Sequence, residues 1–125
     1  MELVHLADAP GYRPDSIVAE PFLDGDRSNV RLIRLAPGQA LPPHTHGECD
    51  LMLYAVEGEG TIDPDPGTAG KSSGVAFPAG SLAYLRGAEV LRVANTGARG
   101  LTLLAFLAPP FPPRGRPAAQ PRGET

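Results

Sequence analysis

Short apolar runs broken by glycine and proline set the pattern of this chain. No stretch long enough for a helix carries apolar residues at i, i+3, i+4 and i+7. Ile17-Val18-Ala19, Val30 to Leu35, Leu51 to Val56, Gly74 to Phe77, Ser81 to Leu85, Val90 to Ala94 and Leu101 to Leu107 read instead as strands. Turn residues separate them: Asp24-Gly25-Asp26, Ala36-Pro37-Gly38, Gly58-Glu59-Gly60, Asp63-Pro64-Asp65-Pro66-Gly67, Pro78-Ala79-Gly80 and Asn95-Thr96-Gly97. Many short strands with such turns predict an all-β sandwich or barrel, and proline at this density would break helices.

The length of 125 residues suits one core. A barrel domain is expected over 1–108. From Pro109 to Thr125 prolines and arginines dominate and few apolar side chains remain, so 109–125 is expected to be a flexible tail or to drape over a partner subunit. Thr61 to Ser73 reads as a mobile hairpin loop. Within it, Gly70-Lys71-Ser72 is not a phosphate loop, because Asp65 stands where that motif needs its first glycine and no helix pattern follows.

Charge and composition narrow the class of partner. A net charge of −3 with scattered basic residues gives no electrostatic footprint for nucleic acid. No apolar stretch approaches the roughly 18 to 20 residues that span a bilayer. The start of the chain lacks a basic region followed by a long apolar segment, and the single cysteine, Cys49, forms no intrachain disulfide. These features together predict a cytoplasmic protein.

The candidate chemistry lies in Pro42-Pro43-His44-Thr45-His46, which holds two of the three histidines. In an extended strand the side-chain period is two, so His44 and His46 share a face and can hold one divalent ion. If the strand runs on unbroken, Glu48 and Asp50 join that face and Met52 and Tyr54 continue into the pocket. If a bulge intervenes, Leu51, Leu53 and Ala55 face inward and the carboxylate turns away. Both arrangements remain open on sequence alone. In the unbroken strand Cys49 points away from the histidines and is expected to be a buried, inert thiol. His5 stands outside any motif, and Glu57 and Glu59 flank a glycine turn as surface charge.

From Gly38 the chain continues through His44 and His46 to Gly58, and this resembles the first motif of the cupin superfamily: glycine, five residues, H-x-H, a glutamate a few residues on, and a final glycine. Gly74 and Pro78-Ala79-Gly80 partly echo the second motif. The resemblance covers roughly Val30 to Leu107 and implies a jelly-roll barrel of antiparallel strands with an internal pocket. It also implies a homodimer. Two departures stand out. Ala83 occupies the position of the second-motif histidine, and the first-motif glutamate is displaced, leaving Asp50 as the acidic candidate with Glu48 in reserve.

The resemblance implies a small-molecule enzyme using a divalent transition metal on His44, His46 and Asp50, with dioxygenase, isomerase, lyase or cyclase chemistry. Fe, Zn, Ni, Mn and Cu are all compatible with such ligands. Met52, Tyr54, Ala83 and Arg86 would line the substrate pocket; Tyr84 and Arg86 follow Ala83 and either line the barrel mouth or, as their residue types favour, stand outside it as a packed tyrosine and a solvated arginine. The alternative is a metal-free cupin that binds a small ligand through the same histidines, and the missing ligand at Ala83 favours it.

Overall fold

The computed structural model describes residues 1–63 and 74–112. The predicted phosphate-loop lookalike at Gly70-Lys71-Ser72 and the tail beyond Pro112 lie outside the described residues. Among the described residues nine strands form: β1 (Val18–Asp24), β2 (Asn29–Leu35), β3 (Ala40–His44), β4 (Asp50–Glu57), β5 (Glu59–Ile62), β6 (Val75–Pro78), β7 (Leu82–Leu85), β8 (Leu91–Ala94) and β9 (Leu101–Ala108). They make two antiparallel sheets, ordered β1-β2-β9-β4-β7 and β3-β8-β5-β6. The architecture is the predicted all-β double sheet, a jelly-roll barrel. Among the described residues no helix is long and apolar enough to cross a membrane.

Two strands depart from the sequence expectation. Ala40–His44 is a strand despite Pro42-Pro43, and Glu59–Ile62 is a strand where a turn and a loop were expected. Both lie in the smaller sheet, where β3 forms an edge. An edge strand tolerates proline, because one side of its ladder has no partner to serve.

The core fills the space between the sheets. Ile33, Leu35, Leu41, Leu51, Leu53, Ala55, Leu91, Val93, Leu101, Leu103, Ala105 and Leu107 belong to one buried cluster. In β4 the burial alternates, with Leu51, Leu53 and Ala55 inward and Asp50, Met52 and Tyr54 outward. This is the second of the two parities, and it takes Asp50, Met52 and Tyr54 out of the interior. The reason lies just upstream. Gly47 has φ of 63°, and the Cys49 N–H donates to the carbonyl of His46 at 3.0 Å, so the chain turns after His46 instead of continuing as a strand. Cys49 then enters the core at 3% exposure.

Gly58 stands where the chain passes from β4 in the larger sheet to β5 in the smaller one, with φ of 86°, where a side chain would be strained. A Cβ there would also lie 2.2 Å from the carbonyl oxygen of Gly100. The glycine that ends the first motif is thus required by a turn and by a close backbone approach.

Candidate functional site

His44 faces inward because β3 is irregular. Leu41 pairs with Val93 and His44 pairs with Leu91, so three steps along β3 match two along β8. The extra residue falls at Pro42-Pro43. Proline cannot donate to the ladder, and a bulge there turns His44 onto the inner face with Leu41, Val93 and Leu91. The Pro42 carbonyl can only accept, so His44 Nδ1 carries the proton in their 2.8 Å hydrogen bond. Nε2 is left as the ring's other polar atom.

His46 lies just past the end of β3, and its N–H donates to the Gly87 carbonyl at 2.8 Å. Its side chain is buried, and the two imidazole centroids are 4.5 Å apart. Nδ1 of His46 is buried with no hydrogen-bond partner among the described residues. Such an orphan costs about 1–3 kcal/mol. Burial, followed by the charges of His44 and Arg31, pushes its pKa down to about 4, so the ring is neutral at pH 7.

The rest of the mouth comes from β2 and from the chain after β9. Arg31 pairs with Ala105, and Asn29 pairs with Leu107, which places both on the inner side of the sheet. One Arg31 N–H donates to the Ala19 carbonyl at 3.3 Å. Asn29 is 5% exposed and holds the backbone of Phe111 at both amide atoms: Nδ2 donates to the Phe111 carbonyl at 2.7 Å, and the Phe111 N–H donates to Oδ1 at 3.0 Å. The Phe111 ring thereby reaches 4.8 Å from the His46 centroid, edge on, and 6.5 Å from that of His44. Part of the segment expected to be tail therefore folds back onto the barrel.

The other expected residues lie elsewhere. Asp50 is exposed and accepts a hydrogen bond from the Tyr84 hydroxyl at 3.0 Å on the outer face, and Glu48 is exposed in the turn. Ala83 does sit beside the core and offers no donor atom. Met52 and Tyr54 face outward, and Arg86 is exposed, paired with Glu89 at 3.4 Å. Burial first, and then the charges of Glu48 and Asp50, raises the pKa of the Cys49 thiol, which keeps it protonated. His5 is exposed in the N-terminal segment.

The metal set expected from the sequence is consequently not assembled. Among the described residues no group of three His, Cys, Asp or Glu side chains converges. Two imidazoles supply fewer protein donors than the three that hold a catalytic zinc or a two-histidine, one-carboxylate iron. The residues present do not fit a tightly held metal.

Sequence reasoning missed Asn29, Arg31 and Phe111. Arg31 and Asn29 alternate with Ile33 and Leu35 on one face of β2, a period-two signal that could have placed them inside. Phe111 carried no comparable signal.

Neither a family model nor a curated protein sequence matches the chain. Solved structures do. The protein TT1209 from Thermus thermophilus is 27% identical, covers 88% of this chain and 99% of its own, and superposes with a TM-score of 0.75. An RmlC-like cupin protein from Desulfovibrio desulfuricans is 22% identical over 89% of this chain and 99% of its own, with a TM-score of 0.74. The polyketide cyclase RemF from Streptomyces resistomycificus is 20% identical over 90% of this chain and 82% of its own, with a TM-score of 0.67. With its two antiparallel sheets, its H-x-H at the mouth and these likenesses, the chain has the double-stranded β-helix fold of the cupin superfamily.

Proposed function

We propose that this protein binds a small molecule in the mouth of its cupin barrel, with His44 and His46 as polar anchors and without a resident metal. One observation carries the reading: His46 holds a neutral, buried ring nitrogen that no described residue satisfies. A fold that leaves such an atom unpaired gains its partner when a ligand arrives. The inward Ala83 supports the metal-free form, because it offers no donor where a third ligand would stand. The cyclase RemF is an enzyme on the same fold, so catalysis on a bound small molecule is compatible with the architecture. A second copy of the chain would pair over the outer face of the larger sheet, where Met52, Leu82, Tyr84 and Phe106 are exposed.

Two measurements on protein purified without a histidine tag test this reading. Elemental analysis is expected to find well under one equivalent of transition metal. A screen of small organic fragments, read through the His46 ring nitrogens by NMR, is expected to give saturable shifts. Stoichiometric metal that is lost in a His44→Ala, His46→Ala double variant would restore the metal-dependent enzyme in its place.

A further inference from the structure

Of the described residues placed at the mouth, only Arg31 carries a fixed charge. From β2 come Arg31 and Asn29, from β3 and the turn after it come His44, His46 and Cys49, and from beyond β9 comes Phe111. Among the described residues no carboxylate faces the imidazoles, since Asp50 and Glu48 are turned outward. Arg31 brings a fixed positive charge that is felt at His46. A fixed cation carried on the inner side of β2, with donor-capable imidazoles at the same end of the barrel and no described anion inside to neutralise it, suits a carboxylate.

The second half of the ligand is indicated by what now fills the mouth. Phe111 packs against the buried cluster with its ring edge on His46 and its face roughly parallel to His44. It is held there through its backbone by Asn29, a clamp that does not depend on the identity of the side chain. An aromatic ring therefore already occupies a cradle that fits one.

We infer that the mouth takes a small aromatic carboxylate, whose ring replaces Phe111 against the imidazoles and whose carboxylate is received by Arg31 and by His46 Nδ1. The inference rests on the small-molecule reading above and names its ligand class. His46 in its Nδ1–H tautomer donates to one carboxylate oxygen, and Arg31 donates to the other. No covalent bond is made or broken in this step. Phe111 acts as a tethered competitor that the ligand must displace.

The test uses benzoate, phenylacetate and the neutral analogue benzyl alcohol, titrated into the full chain and followed through the His46 ring nitrogens. Either acid is expected to shift His46 saturably and to bind at least roughly tenfold tighter than benzyl alcohol. An Arg31→Gln variant should lose about tenfold in affinity for the acids, the scale of a charge-assisted hydrogen bond, and keep its response to benzyl alcohol. A Phe111→Ala variant should bind the acids several-fold tighter. Equal binding of acids and alcohol at His46 overturns the carboxylate assignment and leaves the small-molecule reading standing. If neither acid moves His46 in wild type or in Phe111→Ala, the inference falls. In that case, whether any fragment of the wider screen moves His46 decides if the parent reading falls with it.

Discussion

Two polar clusters lie on opposite faces of the larger sheet, and they are built to different standards. On the outside, Thr102 is fully buried under Tyr12, with Arg34 and Glu57 as its cross-strand neighbours. The Tyr12 hydroxyl donates to Glu57 at 2.5 Å and lies 2.6 Å from Thr102 Oγ1, which also receives Arg34 Nε–H at 3.1 Å. A further Arg34 N–H donates to the Pro10 carbonyl at 2.7 Å, and its guanidinium carbon sits 5.4 Å from the Tyr12 ring centroid. Tyr12, Arg34, Glu57 and Thr102 each have a hydrogen-bond partner there, and the cluster pins the N-terminal segment to the sheet. On the inside, three residues earlier in β2, Arg31 faces a mouth where His46 Nδ1 has no partner among the described residues. A satisfied network holds a fold together; one with an orphaned group costs stability and is kept for another purpose.

Breaking the satisfied cluster should have the largest effect. Thr102→Val removes an acceptor from Arg34 and a partner from Tyr12, and is expected to cost about 2 kcal/mol in urea unfolding while leaving ligand shifts at His46 unchanged. A loss of mouth binding in that variant would mean that the two clusters are not separable.

The next effect is a pH dependence specific to the mouth. Folding holds His46 at about 4 against an ordinary 6.5, so the unfolded chain takes up the proton first. Its contribution to stability is complete above about pH 6.5 and is lost as the pH falls toward 4. Between pH 7 and pH 5 the fold should lose about 1 to 2 kcal/mol. The His46→Leu variant should not show this loss.

At pH 7 the same His46→Leu substitution is expected to be neutral or to stabilise by up to about 1 kcal/mol, because it removes a buried orphan atom, and to abolish ligand binding in calorimetry. Destabilisation by more than about 2 kcal/mol would make His46 a structural residue and erase the contrast. Smallest of all, Asp50→Asn removes only the exposed contact with Tyr84, and calorimetry should find ligand affinity unchanged within about 0.5 kcal/mol.

The same contrast explains which parts of the molecule were legible from the chain alone. Seven strands follow from local apolar runs, and Gly58 signals its own turn, because these features are written in consecutive residues. The inward turn of His44 is not, because it depends on a bulge created when Pro42-Pro43 meets β8, a strand far along the chain. The parity of β4 could be narrowed to two arrangements, and only the turn at Gly47 selects between them. Phe111 was read with the tail from the composition around it, yet one asparagine 82 positions away captures its backbone. Glu57 was read as surface charge, and its pKa is in fact held down chiefly by the hydrogen bond from Tyr12. Long-range pairing decides each of these, and a single sequence shows composition and period but not partners.

Whether the mouth keeps a neutral, unpartnered imidazole for a small ligand can be read from the ring nitrogen-15 spectrum of His46 at pH 7. The expected spectrum is that of a neutral ring with Nδ1 free of hydrogen bonding in the protein alone, moving to a hydrogen-bonded position when an aromatic carboxylate is added. A ring already protonated, or already coordinated to metal in protein purified without a histidine tag, would show that the barrel mouth is not held open for such a ligand.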